Sequence, residues 1–206
     1  MELVHQRCGF TQGFEVSAVG SKDGLCLAWK EDIQVRLRSF SSSFIDVQIC
    51  CSDVSVDWRF TGFYGSSYES NKVDSWNELR KLGLDKKLPW LVCGNFNEIL
   101  YVYEKRGGLP RDKQCIERFR SALKDCELFG LGYSACWYSW EKGNLVENNI
   151  RERLDRGVAN VKWMECFPTV SIQHLNHSHF DHYPLLIHST IQSAHVRPNF
   201  FKFEAL

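Results

Sequence analysis

The amino-acid sequence predicts a layered α/β protein, with stacked sheets and helices outside them. Two patterns predict it: apolar residues alternate with polar ones from Gly24 to Tyr64, and stretches with helical spacing fall between later apolar runs. With 206 residues, 44% of them hydrophobic, the chain can bury one sizeable core and is too short for two ordinary domains.

The elements follow in order. Ile33, Val35 and Leu37 alternate with Gln34, Arg36 and Arg38; Ile45, Val47 and Ile49 alternate next, and then Val54, Val56, Trp58 and Phe60. Each set reads as a strand with one buried face. From Ser70 to Leu82 the period changes, because Val73, Trp76, Leu79 and Leu82 recur every three residues and Gly83 is placed to stop a helix. A strand then covers Trp90 to Cys93. A second helix is expected from Asp112 to about Leu128, with Ile116, Phe119, Leu123 and Cys126 on one side and Asp112 as its cap. Beyond it "CWYSW" and "TVSIQHL" read as strands, and a short helix near Asn160 to Phe167 is stopped by Pro168.

Bulk composition narrows the function classes. Acidic and basic residues both total 25, so no global field draws the chain to nucleic acid or an acidic membrane, and any such binding is local. Nine cysteines, an odd number with no CxxC spacing, fit reduced thiols better than a disulfide framework or a zinc ribbon. The start "MELVHQRCGF" has no secretory pattern, and no run approaches the roughly 20 apolar residues of a membrane span. The expectation is a soluble, intracellular chain without an obligate protein partner.

Polar clusters follow apolar strands at "GNFNE" (94–98), "RERLDR" (151–156) and "HFDHYP" (179–184), the positions where pocket residues usually sit. Asp181 and His182 are adjacent, so both reach one pocket only at a bend, which Pro184 favours. Asp155 is a candidate partner for His182, since a carboxylate orients an imidazole and raises its pKa. His174, His177, His179 and His182 are close enough to suggest zinc, but their spacing matches no standard finger. Acids interleave with bases in "RERLDR" and "EKRGGLPRDK", which reads as a solvated, salt-bridged surface. Trp137, Tyr138 and Trp140 read first as packing residues and second as aromatic surface for nucleic acid.

Taken in order, "TGFYG" (61–65), "GNFNEIL" (94–100), "EKRGG" (104–108), "YSW" (138–140), "ERLDR" (152–156) and "DHYPLL" (181–186) form a series. With it the chain resembles the endonuclease/exonuclease/phosphatase family, specifically the apurinic-endonuclease-like domain of plant LINE-type (non-LTR) retrotransposons. "DGLCLAW" (23–29) and, loosely, "PNFFKFE" (198–204) extend the resemblance over nearly the whole chain. It implies a four-layer α/β sandwich, two packed and mostly antiparallel sheets flanked by helices, with magnesium- or manganese-dependent phosphodiester hydrolysis of DNA in the nucleus. By the same resemblance Tyr64, Asn97 and His182 contact the scissile phosphate, Asp155 orients His182, and Asp181 is an acid near the metal.

The sequence departs from the family pattern at three places. Where the family has Gly-Asp-Phe-Asn, this chain has Gly94-Asn95-Phe96-Asn97, so an amide replaces the carboxylate that orients or deprotonates the attacking water. An amide keeps the shape but cannot take the proton. The opening residues match the region just after the family's metal-binding Glu, so the first strands and that ligand are expected to be missing. Phe180 stands where a serine usually precedes the Asp-His pair. The expectation is therefore a partial domain over 1–194, a tail over 195–206 leading toward a lost reverse transcriptase, and weak or absent activity. Two alternatives remain: a phosphatase or phosphodiesterase acting on a small ester, or a non-catalytic remnant that binds nucleic acid or protein.

Overall fold

A computed structural model describes residues 9–17, 24–50, 56–143, 145, 147–175, 181–190 and 201–202. The expectations placed on Val54, His177, His179, Phe180, the first eight residues and most of the C-terminal tail lie outside the described residues.

Strands β1 (Gln12–Val16) and β2 (Leu25–Trp29) pair antiparallel as a small separate sheet. β3 (Gln34–Ser41), β4 (Phe44–Cys50) and β5 (Trp58–Tyr64) answer to the three alternating segments and run antiparallel as neighbours, although Ile33 falls just before β3 and Val56, expected in the third strand, lies exposed in the bend before β5. Helix α1 (Glu69–Gly83) carries the chain to β6 (Trp90–Asn95), which lies parallel to β5 as a helical crossover requires. After the short β7 (Lys105–Arg106) comes α2 (Lys113–Asp125), which ends before the predicted Leu128; Asp112 caps it by accepting from the Gln114 N–H at 2.8 Å. The rest consists of β8 (Phe129–Gly130), β9 (Ser134–Ala135), β10 (Trp140–Lys142), β11 (Ile150–Glu152), β12 (Asp155–Ala159), α3 (Val161–Cys166), β13 (Thr169–His174), β14 (Leu185–Thr190) and β15 (Phe201–Lys202).

The large sheet has the order β3-β4-β5-β6-β12-β8, and a second has the order β15-β14-β13-β9. Alternation along the strands builds two cores. Phe63, Trp90 and Val92 face the helices, where Trp76 of α1 stacks on Phe119 of α2 with ring centroids 4.6 Å apart. Ile45, Val47, Phe60, Leu91 and Cys93 face the other way, toward Val170 and Ile187 of the second sheet. The predicted α/β sandwich is the observed architecture.

Several local expectations change. Val73 is exposed on α1 and Lys72 is buried instead, because Lys72 is held by an ion pair to Glu98 at 2.6 Å. Of "CWYSW" only Trp140 belongs to a strand, although the Ser139 N–H still donates to the Glu152 carbonyl at 3.0 Å. The seven described cysteines, 26, 50, 93, 115, 126, 136 and 166, are free thiols. Among the described residues no helix is long and apolar enough to cross a membrane.

Candidate active site

Sheet register brings together residues far apart in sequence. Tyr64, the last residue of β5, pairs with Asn95, the last of β6, and Asn95 pairs with Asp155, the first of β12. Because side chains alternate, Tyr64 shares a face with Phe60, Asn95 with Leu91 and Cys93, and Asp155 with Ala159. All three stand at one end of the large sheet, on the face turned toward the second sheet.

Close backbone contact shapes the turn that follows β6. A Cβ on Gly94, whose φ is +141°, would lie 2.1 Å from the Phe63 carbonyl oxygen, and one on Gly65 would lie 2.5 Å from that of Phe96. Only glycine fits at either position. Asn97 adopts a left-handed φ of 53°, which Asn tolerates better than most residues. Asn95 Oδ1 accepts the Asn97 N–H at 2.7 Å, and Asn97 Nδ2 donates to the Gly65 carbonyl at 2.8 Å. Both amides therefore lock the turn, and both are buried.

His182 enters from the segment before β14, on the second sheet. Its Nδ1 lies 2.8 Å from Asp155 Oδ2, the partner expected from sequence. Burial alone would push the His182 pKa down, but the hydrogen bond and charge of Asp155, with Asp181 adding, hold it above the usual imidazole range. The bend that the Asp181-His182 pair needs is held by main-chain bonds to residues 139–141: Glu141 N–H to the Asp181 carbonyl at 2.9 Å and Tyr183 N–H to that of Ser139 at 2.8 Å. Asp181 is exposed, and its Oδ2 accepts the Trp140 indole N–H at 2.9 Å.

Sequence reasoning assigned no role to Ser139. Fully buried, it donates to Asp155 Oδ2 at 2.9 Å and accepts the N–H groups of Leu154 and Asp155 at 2.9 and 2.8 Å. A serine set between two aromatic residues at the start of β10 was the available signal.

On the other face of the sheet, the interleaved charges are not the solvated surface that sequence suggested. Glu104, Glu152 and Arg156 are each at most 3% exposed. Glu104 takes Arg156 at 3.1 Å and Arg153 at 3.4 Å, while Glu152 takes Lys105 and Arg111. Their alternation is that of strands crossing, so acids and bases meet each other instead of water. Burial and the neighbouring Arg156 push the Arg153 pKa down to about 10, still protonated at neutral pH.

Of the four clustered histidines only His174 and His182 are among the described residues, and each has its own partner. His174 is buried, with Nδ1 2.6 Å from the Cys136 carbonyl and its ring stacked on Tyr133, while His182 is committed to Asp155.

A magnesium or manganese ion is usually held by one or two carboxylates together with substrate oxygens. In the pocket Asp155 Oδ2 is taken by His182 and Ser139, Asn95 is neutral, and Asp181 already accepts from Trp140. These described residues do not by themselves fit a divalent metal. The grouping with metal-ligand proximity, Glu69, Asp112 and Cys115, shares no residue with the pocket.

Neither a protein-family model nor a curated protein matches the sequence. Solved structures do match the fold. The endonuclease domain of TRAS1, a telomere-specific non-LTR retrotransposon, superposes with a TM-score of 0.66 at 12% identity, covering 88% of this chain and 81% of that one. The chain has the endonuclease/exonuclease/phosphatase fold. The 3′ phosphatase NExo from Neisseria, bound to a product DNA hairpin, shares this fold with a TM-score of 0.61, 13% identity and coverage of 93% and 83%. The human nocturnin catalytic domain, with a bound sulfate anion, gives 0.56, 14% identity and coverage of 93% and 76%.

Proposed function

We propose that the pocket binds a phosphodiester of DNA and hydrolyses it weakly, as a degenerate retrotransposon-type endonuclease. The observation that carries this reading is the row Tyr64, Asn95, Asp155 closed by His182, because it supplies polar donors and a cation at one point. A phosphoryl oxygen would meet the protonated His182 ring, with Asp155 fixing the ring through Nδ1 and leaving Nε2 as the opposite donor. The Tyr64 hydroxyl and the Asn97 amide are the neutral groups beside it.

The weak step is activation of water. Attack on phosphorus forms a new P–O bond, releases one ester oxygen and frees a proton. Asn95 can hold the water through its amide but cannot accept that proton. General-base assistance is typically worth about 10²- to 10⁴-fold, so a deficit of that order follows.

Likeness to the endonuclease domain of a non-LTR retrotransposon and to a phosphatase bound to DNA supports a nucleic-acid substrate. The ordered motifs support an origin in a plant LINE-type element, and action on chromosomal DNA would place the chain in the nucleus. The neutral Asn95 favours a second reading, a binding site without turnover. To separate the two, purified chain is incubated with supercoiled plasmid and magnesium, beside His182→Ala. Slow nicking that His182→Ala abolishes is expected; no nicking, with DNA binding retained, would favour the second reading.

A further inference from the structure

Resting on that reading, we infer that His174 is a positioning residue for the pocket: its bond to the Cys136 carbonyl clasps the segment that carries His182 to the segment that carries Ser139. His174 is the last residue of β13 and is 2% exposed. It pairs with Leu185, the first residue of β14, and the Leu175 N–H donates to the Pro184 carbonyl at 2.9 Å. His174 therefore stands at the root of the stretch that leads to His182.

The second segment begins where β9 ends. Residues 136–139 belong to no strand, and Ser139 at their end holds Asp155 Oδ2 at 2.9 Å and, through its carbonyl, the Tyr183 N–H at 2.8 Å. At their start the Cys136 carbonyl lies 2.6 Å from His174 Nδ1. A carbonyl only accepts, so Nδ1 carries the proton and donates it. The bond fixes one end of a short span whose other end sets Asp155 and the neighbour of His182. Stacking adds a third segment. The His174 ring lies on Tyr133, with centroids 5.2 Å apart and planes 13° apart, and the Arg153 guanidinium lies over the Tyr133 ring, 3.5 Å from its centre. Asp155 follows Arg153 by two residues.

What the imidazole supplies beyond stacking is the Nδ1 bond. Its Nε2 is buried without a partner among the described residues, a cost that a phenyl ring stacked in the same place would not carry. Burial, with the charges of Arg153 and Arg156, pushes the His174 pKa down against the Cys136 bond and Asp155, so the ring is neutral at neutral pH. The pairing of β13 with β14 runs from Thr169 to His174, and Ile172 between them is buried. The second sheet thus has support of its own, and the distinct effect of the bond falls on the pocket.

The test uses the full chain without added metal. It reads the low-field proton of the His182 Nδ1–H in its bond to Asp155, assigned by its loss in His182→Ala, together with affinity for inorganic phosphate. His174→Phe, which keeps a stacking ring and loses the donor, is expected to lose that resonance to exchange and to weaken phosphate binding about tenfold. His174→Asn, whose amide nitrogen takes the place of Nδ1, should keep both. A resonance unchanged in His174→Phe, or lost equally in His174→Asn, overturns the inference. If His174→Phe gives no cooperative urea transition, His174→Gln replaces it, since its amide reaches the Nε2 position instead; equal behaviour of the Asn and Gln variants then overturns the inference. Failure of the phosphate reading shows separately, as an unaltered chain that binds no inorganic phosphate, and the His182 resonance still decides the role of His174.

Discussion

The two faces of the large sheet use charge in opposite ways. On the helix side, carboxylates are buried and saturated: Glu98 with Lys72, Glu104 with Arg156 and Arg153. On the pocket side the ends of β6 and β12 present Asn95, which carries no charge, and Asp155, whose partner His182 is only half-buried. Glu98 and Asn95 lie on one short turn, so the acid of that turn serves the scaffold and the amide faces the chemistry. Saturated charges hold a fold in register, whereas a catalytic group needs some unsatisfied capacity to change protonation.

The largest effect should come from opening a closed pair. Lys72→Met leaves Glu98 buried without a counter-charge, which typically costs about 3–5 kcal/mol, and should lower the urea midpoint with little change in slope. An unchanged midpoint would show that Glu98 is not dependent on Lys72.

On the pocket side, Asn95→Asp should raise plasmid nicking in magnesium by about 10²- to 10⁴-fold. The turn can keep its shape, since an aspartate oxygen can accept the same Asn97 N–H. If the rate stays where it was, the missing carboxylate is not what limits the chain.

Ser139→Ala should behave as an intermediate case, because it takes the acceptor from two main-chain amides and one donor from Asp155. A loss of about 1–3 kcal/mol is expected on thermal or urea unfolding. Ser139→Thr, which retains the hydroxyl, should recover most of it.

The smallest effect is a pH dependence. The folded His182 pKa lies above its unfolded value, so the His182–Asp155 pair contributes its full stability below about pH 6.5 and loses it as pH rises through the folded value. Affinity for inorganic phosphate should weaken over the same interval. His182→Ala should flatten both curves, and a dependence that survives the substitution would assign it to another group.

The sequence made part of this arrangement readable. Period-two alternation marked β3 to β5 because one face of each is apolar, and apolar residues three or four apart marked α1 and α2. The Asp155–His182 pair was readable as chemistry, since only a few residue types polarise one another in that way. The row that seats them was not, because strand register between Tyr64, Asn95 and Asp155 is fixed by tertiary packing. Glu104 and Glu152 looked like surface acids, for a string of charges does not reveal that its opposite charges lie on a neighbouring segment. Likewise "CWYSW" has strand composition, yet only Trp140 joins β10, because where a ladder starts is set by the partner segment and not by residue type.

Gly65 and Gly94 set a limit on what this pocket can become. With main chain against main chain at both positions, the floor of the site offers no room for a new side chain to grow. Changes in selectivity must then arise from the walls, chiefly the segment of Trp140, which bridges to His182. Directed evolution of this domain should accumulate its useful substitutions there and leave the glycine floor untouched.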